Sequence, residues 1–276
     1  MIAPALTVPV RPQQPSTSRS ISDLLKSVSA SRLILFHQCR LKFFFRYVLG
    51  LKKSKSSALF VGSTVHVVLR LWNRARWKKE PLNQDQLREA FAQTWVEDQN
   101  LDPIRWDESE EKELEAGWRL LEMYLKQTPI RPNERLEGVE VAAEADLRSH
   151  GLTTLIGIID LVRAGGIVVD FKTTGQTPNS ERAIHLNETQ LSCYSVLYRD
   201  ATGRKEGGVE LHHLVKLKRP KLVVTAAPPM TPGQETRLFK TIESYLKGVQ
   251  RQDWIPNPNP MTCACCEYFN ECRKWS

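Results

Sequence analysis

The stretch "GIIDLVRAGGIVVDFKTTG" sets two aspartates and a lysine among apolar residues. Side chains alternate along an extended strand, so Asp170 and Lys172 share one face and Phe171 takes the other. Asp160 lies on the preceding run, and the intervening "RAGG" reads as a hairpin turn that would bring it beside Asp170. Each aspartate follows an apolar pair, Ile158–Ile159 and Val168–Val169, so charge falls on strands that read as buried. A buried carboxylate needs compensation. A divalent cation between the two supplies it, and an ion pair from Lys172 at a sheet edge is the alternative.

A second constellation closes the chain in "MTCACCEYFNEC", which holds four of the six cysteines. Cys263, Cys266 and Cys272 read as C-x-x-C-x-x-x-x-x-C. Cys265 directly precedes Cys266, and adjacent side chains diverge too much to share one metal comfortably. Three thiolates leave a tetrahedral site one ligand short, and Cys39 can supply it. Zinc on four cysteines and a set of free thiols are two readings of such a group. Cys193 reads as a packed small hydrophobe.

In chain order stand His66 in "GSTVH", Asp160 in "GIID", "DFK" at 170–172, and Gln190 with Tyr194 in "ETQLSCY". This series resembles the PD-(D/E)xK nuclease superfamily in its RecB-like branch, which includes the nuclease domains of the RecB and AddB recombination proteins and a CRISPR-associated relative. "SASRLILFHQC" and the terminal cysteines extend the likeness over roughly Ser29 to Trp275. The resemblance implies a restriction-endonuclease-like α/β core and a metal-dependent DNA nuclease, an exonuclease of DNA repair, recombination or CRISPR adaptation. Magnesium or manganese would take oxygens from Asp160, Asp170 and the Phe171 carbonyl, and a nitrogen from His66. Lys172 would orient or activate the water and offset charge in the transition state. Gln190 and Tyr194, one helical turn apart, would touch the scissile strand. AddB-type and CRISPR-associated relatives hold a four-iron–four-sulfur (4Fe-4S) cluster on one early and three late cysteines, implying Cys39, Cys263, Cys266 and Cys272 as ligands. Arg40 stands where relatives often carry proline. Glu140 or Glu144 could add a carboxylate, and nothing in the sequence chooses between them. A helicase or CRISPR integrase is a partner the resemblance allows without requiring it, and no "GxxxxGK[ST]" phosphate loop is present, so the chain shows no motor of its own.

The elements that must position these residues follow from periodicity. Ser29 or Ser31 caps a helix carrying "LILFHQCRLKFFFRYV" that stops near Gly50. "ALFVGSTVHVVLRLWNRARW" is helical in spacing, with further helices near Gln84–Asp98 and Glu108–Gln127. "LEGVEVAAEADL", "TTLIGIIDLVRA" and "GIVVDFKTT" read as a β-meander, followed by a helix over Asn187–Arg199 and strands at "VELHHLVKL" and "KLVVTAA". A last helix opens at Thr231–Pro232. The fold class is α/β or α+β: a mixed sheet flanked by helices. Residues 1–28 read as a disordered tail and 29–276 as one nuclease domain. That domain divides into a helical lobe (29–130), a catalytic sheet core (131–230), and a C-terminal helix with a cluster-binding tail (231–276).

Net charge is +8, and its distribution narrows the partners. From Leu24 to Lys79 there is no acid and 13 Lys plus Arg, interleaved with aromatics. Such a block suits DNA, with Lys52, Lys53 and Lys55 meeting phosphates, while two solvated helix faces would give the same composition. No apolar run approaches the ~18 residues of a membrane span. The first residues lack a secretory pattern, so a cytoplasmic setting is expected, where clustered thiols hold metal more often than disulfides. A non-cutting DNA-binding subunit and an RNA-processing enzyme are the competing functions.

Overall fold

The computed structural model describes residues 18–275. Helix α1 (Ile21–Lys26), capped by Ser20, leads into the two-residue strand β1 (Ser27–Val28). Most of the expected disordered tail lies outside the described residues, but its last part is ordered. Leu24 and Val28 are fully buried, and β1 pairs in parallel with Thr154–Leu155. The expected boundary at residue 28 therefore falls too late.

Next come α2 (Ala30–Gln38), α3 (Arg40–Phe43) and a π turn at Phe44–Val48. The single helix expected over this stretch breaks at Cys39, whose backbone is extended at φ −163° and ψ 111°. No glycine or proline causes the break. The C-terminal segment stabilises it: Asn257 Nδ2 donates to the Gln38 carbonyl at 3.0 Å, and Leu41 N–H donates to the Ile255 carbonyl at 3.2 Å. Gly50, at φ 65°, ends the stretch as expected.

β2 (Lys55–Ser56), α4 (Ser57–Trp77), α5 (Gln84–Gln99), β3 (Ile104–Arg105) and α6 (Glu110–Gln127) complete the helical lobe. Ser56, Asn83 and Ser109 cap its three long helices through their side chains. β4 (Gly138–Asp146), β5 (Thr154–Arg163) and β6 (Ile167–Thr174) form the antiparallel meander. α7 (Ser180–Leu186) and α8 (Glu188–Thr202) cross over to β7 (Gly208–Val215), which runs parallel to β6, and β8 (Lys221–Ala227) closes that edge. α9 (Pro232–Gln250) starts with a capping box between Thr231 and Gln234, and the short helices α10 (Pro260–Cys263) and α11 (Phe269–Arg273) carry the cysteine tail.

Helices cover both faces of the mixed sheet. Apolar residues of α4, α5 and α6 pack with Val169 and Phe171 on one face. Those of α1, α2, α8 and α9 pack with Val168 and Leu211 on the other. β4 lines the whole of one edge of β5, so β1 and β6 share its other edge. The β1 pairs end at Leu155 and the β6 pairs begin at Leu161, which leaves Ile156–Asp160 between two diverging strands. Alternation resets at the same place. Ile159 and Val141 face the α8 side, whereas Leu161 and Val139 face the α4 side. Glu140, between the two valines, takes φ 49°, an uncommon conformation for a non-glycine residue. The sheet is thus kinked and splayed where Asp160 leaves it.

Gly157 lets α8 approach this kink. A Cβ there would lie 2.7 Å from Leu197 Cδ1, and Leu197 is itself fully buried. Gly157→Val should therefore destabilise the fold by about 1–3 kcal/mol through overpacking. Urea unfolding should show a lower midpoint at unchanged slope, and a wild-type midpoint would mean that α8 does not depend on this close approach.

Candidate active site

Asp170, on β6, is 2% exposed, so its charge must be met from within. Its Oδ1 accepts from Gln190 Nε2 at 2.9 Å, and its Oδ2 lies 2.9 Å from Lys172 Nζ, an ion pair without hydrogen-bond alignment. Lys172 Nζ donates to Gln190 Oε1 at 2.5 Å, and Gln190 Nε2 also donates to Tyr194 Oη at 2.9 Å. The α8 side chains thus stitch the two charged residues of β6 together. Asp160 is anchored from the neighbouring strand, its Oδ2 accepting from the Phe171 N–H at 3.1 Å. His66, on α4, brings Nδ1 to 3.7 Å from the same oxygen and sets its ring edge-on to Phe171. Gly62, one turn before His66, permits that approach, since a Cβ there would meet Thr173 Oγ1 at 2.6 Å.

Burial raises Asp160 to about 6, against the lowering effect of the Phe171 N–H and Lys172. Burial also raises Asp170 to about 6, with the charge of Asp160 adding to it. Burial holds His66 below its ordinary value, which leaves a neutral imidazole. Tyr194 is pushed well upward by burial and by both carboxylates, so its hydroxyl stays protonated. Two carboxyls that resist ionisation lack a full counter-charge, and Lys172 alone does not provide it.

The sequence-derived residues His66, Asp160, Asp170, Phe171, Lys172, Gln190 and Tyr194 therefore meet in one place. Glu140 and Glu144 separate: Glu144 is exposed, while Glu140 is half-buried, adds its charge to the field on Asp160, and takes two contacts from Arg70 at 2.8 and 3.0 Å. Arg70 escaped the sequence reading. Its only signal was its position one turn beyond His66, on the same helix face. Among the described residues no three His, Cys, Asp or Glu side chains are placed to hold a metal ion. The donor types nonetheless fit a hard divalent cation, since Asp160 and Asp170 offer under-compensated oxygens and His66 a neutral nitrogen.

Cys39 ends α2, and Cys263, Cys266 and Cys272 come from the tail; all are free thiols. Burial pushes the Cys272 thiol up, and the neighbouring Cys39, Cys266 and Cys263 push it further. Cys265 is exposed, and Cys193 is buried in the main core with its thiol raised by burial to about 12.

The basic block departs from expectation. Lys53 Nζ lies 2.5 Å from Glu271 Oε1 and Lys55 Nζ 3.0 Å from Asp102 Oδ2, so both are occupied by carboxylates, while Lys52 is exposed. Phe43 and Phe45 are buried in core clusters and cannot stack on bases. Charge count and spacing do not reveal which cations already have partners.

A family model for the PD-(D/E)XK nuclease superfamily matches residues 27–273. The chain belongs to this superfamily. No curated protein matches it in sequence. The crystal structure of a "Putative exonuclease" from Eubacterium rectale is similar in fold, with a TM-score of 0.60 and 13% identity over 94% of each chain. The structure of SSO0001 is 14% identical over 85% of this chain and 92% of that one, with a TM-score of 0.36. The mixed sheet between helical layers is the restriction-endonuclease-like arrangement expected of the superfamily. No helix among the described residues is long and apolar enough to cross a membrane.

The two raised carboxyls predict how cations stabilise this superfamily member. Their folded values exceed the ordinary ~4, so without a cation the fold loses stability as pH rises from about 4 through about 6. Magnesium or manganese should restore it above that window, raising the melting temperature at about pH 8 and much less at about pH 5. Thermal melts with cation or EDTA test this, and a cation-dependent rise that persists in Asp170→Asn would locate the ion elsewhere.

Proposed function

We propose that the chain is a metal-dependent DNA nuclease, an exonuclease of the RecB- and AddB-like branch that uses magnesium or manganese. The observation that carries this is the joined group of Asp170, Gln190, Lys172 and Tyr194 facing Asp160 where β5 and β6 part. Asp160, Asp170, the Phe171 carbonyl and His66 would hold the cation. The chemistry a cation supplies there is polarisation of the phosphodiester and of its attacking water. Lys172 brings a fixed positive charge to the same point, where it offsets charge growing on the phosphate. Gln190 and Tyr194 present an amide and a protonated hydroxyl one turn apart on α8, and both would contact the scissile strand. The superfamily, the fold neighbour named as an exonuclease and the net charge of +8 support DNA ends as substrate. Lys52, exposed and acid-free in its surroundings along the chain, is the lysine of its loop best suited to phosphate.

The second part of the proposal is a 4Fe-4S cluster on Cys39, Cys263, Cys266 and Cys272. Each thiolate of such a cluster binds a different iron, so the four sulfurs need not converge on one ion. The effect of the other three on Cys272 supports it, as do the hydrogen bonds already joining the break at Cys39 to the tail. The cluster would staple α2 to the C-terminus. Repair, recombination or CRISPR adaptation is the setting, and a helicase or integrase partner would lie outside this sequence, which holds no phosphate loop.

Digestion of end-labelled single- and double-stranded DNA by protein purified without air tests the activity. Asp170→Ala and Lys172→Ala should each lose at least ~1000-fold in rate, about 4 kcal/mol of barrier, while still shifting DNA in calcium. EDTA should abolish cutting by the wild type. An Asp170→Ala variant as fast as wild type, or RNA cut in preference to DNA, would overturn the assignment.

The cluster predicts brown protein with about four irons per chain. Cys39→Ala, Cys263→Ala, Cys266→Ala and Cys272→Ala should each lose iron, and Cys193→Ala and Cys265→Ala should keep it. Colourless protein holding a single zinc would exclude the cluster.

A further inference from the structure

β7 lies parallel to β6 with His213 directly opposite Lys172, so both side chains leave the same face of the sheet. That face also carries Asp170 and is covered by α8. His213 is 6% exposed, its Nδ1 is buried without a partner, and its imidazole makes no hydrogen bond among the described residues. Its neighbour His212, on the opposite face, is fully engaged: Nδ1 lies 2.8 Å from Tyr124 Oη and Nε2 lies 2.9 Å from Glu210 Oε2. An unpaired buried nitrogen destabilises a fold, so the contrast asks what His213 is for. Burial and the charge of Lys172 both favour the neutral ring, in which one nitrogen is an acceptor.

Among the described residues, Lys172 has two partners, Asp170 Oδ2 and Gln190 Oε1. Both belong to groups that the cation and the substrate strand would claim in the proposed reaction. An ammonium released by both needs an acceptor for which neither competes, and His213 offers one from the adjacent strand. We infer that His213 is a positioning residue for Lys172: its free imidazole nitrogen accepts from the ammonium once Asp170 and Gln190 turn to cation and substrate, which keeps that charge beside the scissile phosphate. This role rests on the nuclease activity proposed above.

Two variants test it. His213→Leu removes the acceptor and keeps the site filled, whereas His213→Gln keeps an acceptor. His213→Leu should melt at or above wild type in EDTA, because an unpaired polar atom has been removed, and should bind DNA in calcium unchanged. Its kcat should fall by about 10- to 100-fold with KM unaltered, the usual range for a group that orients a catalytic side chain. His213→Gln should recover most of that loss. The role is overturned if His213→Leu cuts at the wild-type rate, or if it melts well below wild type and His213→Gln restores nothing, since the histidine would then be structural. A wild type that cuts no nucleic acid with either cation overturns the nuclease activity itself, and the role of His213 with it.

Discussion

Everything at the centre of this molecule depends on holding two carboxylates inside a sheet. Asp170 is almost wholly buried, Asp160 is nearly opposite it, and among the described residues the Lys172 ammonium, the Gln190 amide and the Phe171 N–H are what meet their charge. Desolvation outweighs that compensation, which is why both carboxyls are raised. A sheet selected for stability alone would carry valines at these places. The arrangement is consistent with the cation site proposed above, with Lys172 and Gln190 meeting the charge of Asp170 in this structure.

The backbone has to break its own pattern to present that pair. A regular meander would keep Asp160 and Asp170 in paired register, with the edge between them closed by ladder hydrogen bonds. Instead the pairing of β5 with β6 stops at Leu161, alternation resets across Glu140, and Glu140 adopts a left-handed conformation. Strain of that kind persists only when its surroundings over-determine it. Arg70 gives one such restraint from α4, gripping Glu140 one turn beyond His66. The same helix face therefore sets the kink and delivers the histidine.

How much of this was legible in the sequence follows from the range of each interaction. Alternation in "VVDFK" assigned Asp170 and Lys172 to one face and Phe171 to the other, because period-two geometry is local. The "RAGG" turn placed Asp160, because hairpins are local too. The break at Cys39 was hidden, since its cause lies at Ile255 and Asn257, and α7 was missed in a polar stretch without clear periodicity. Lys53 and Lys55 looked free because their carboxylate partners are remote in sequence: Glu271 and Asp102. His213 gave no signal at all. One more histidine in a buried strand becomes notable only when its missing partner is seen.

The basic block therefore has a structural use before any electrostatic one. Arg40 pairs with Asp253, Lys42 with Glu267 and Lys53 with Glu271, and each pair joins the early lobe to the last quarter of the chain. Tyr268, buried between them, donates its hydroxyl to the Leu51 carbonyl and lies under the Lys53 ammonium. Half-exposed ion pairs are individually weak, typically about 0.2–1 kcal/mol. They act together with the apolar cluster of Leu41, Phe45 and Tyr268, which packs against Cys39, Cys266 and Cys272. The tail is thus docked by ordinary forces on the surface that carries the thiols. Any centre assembled on those cysteines would lock an arrangement that packing and charge already favour.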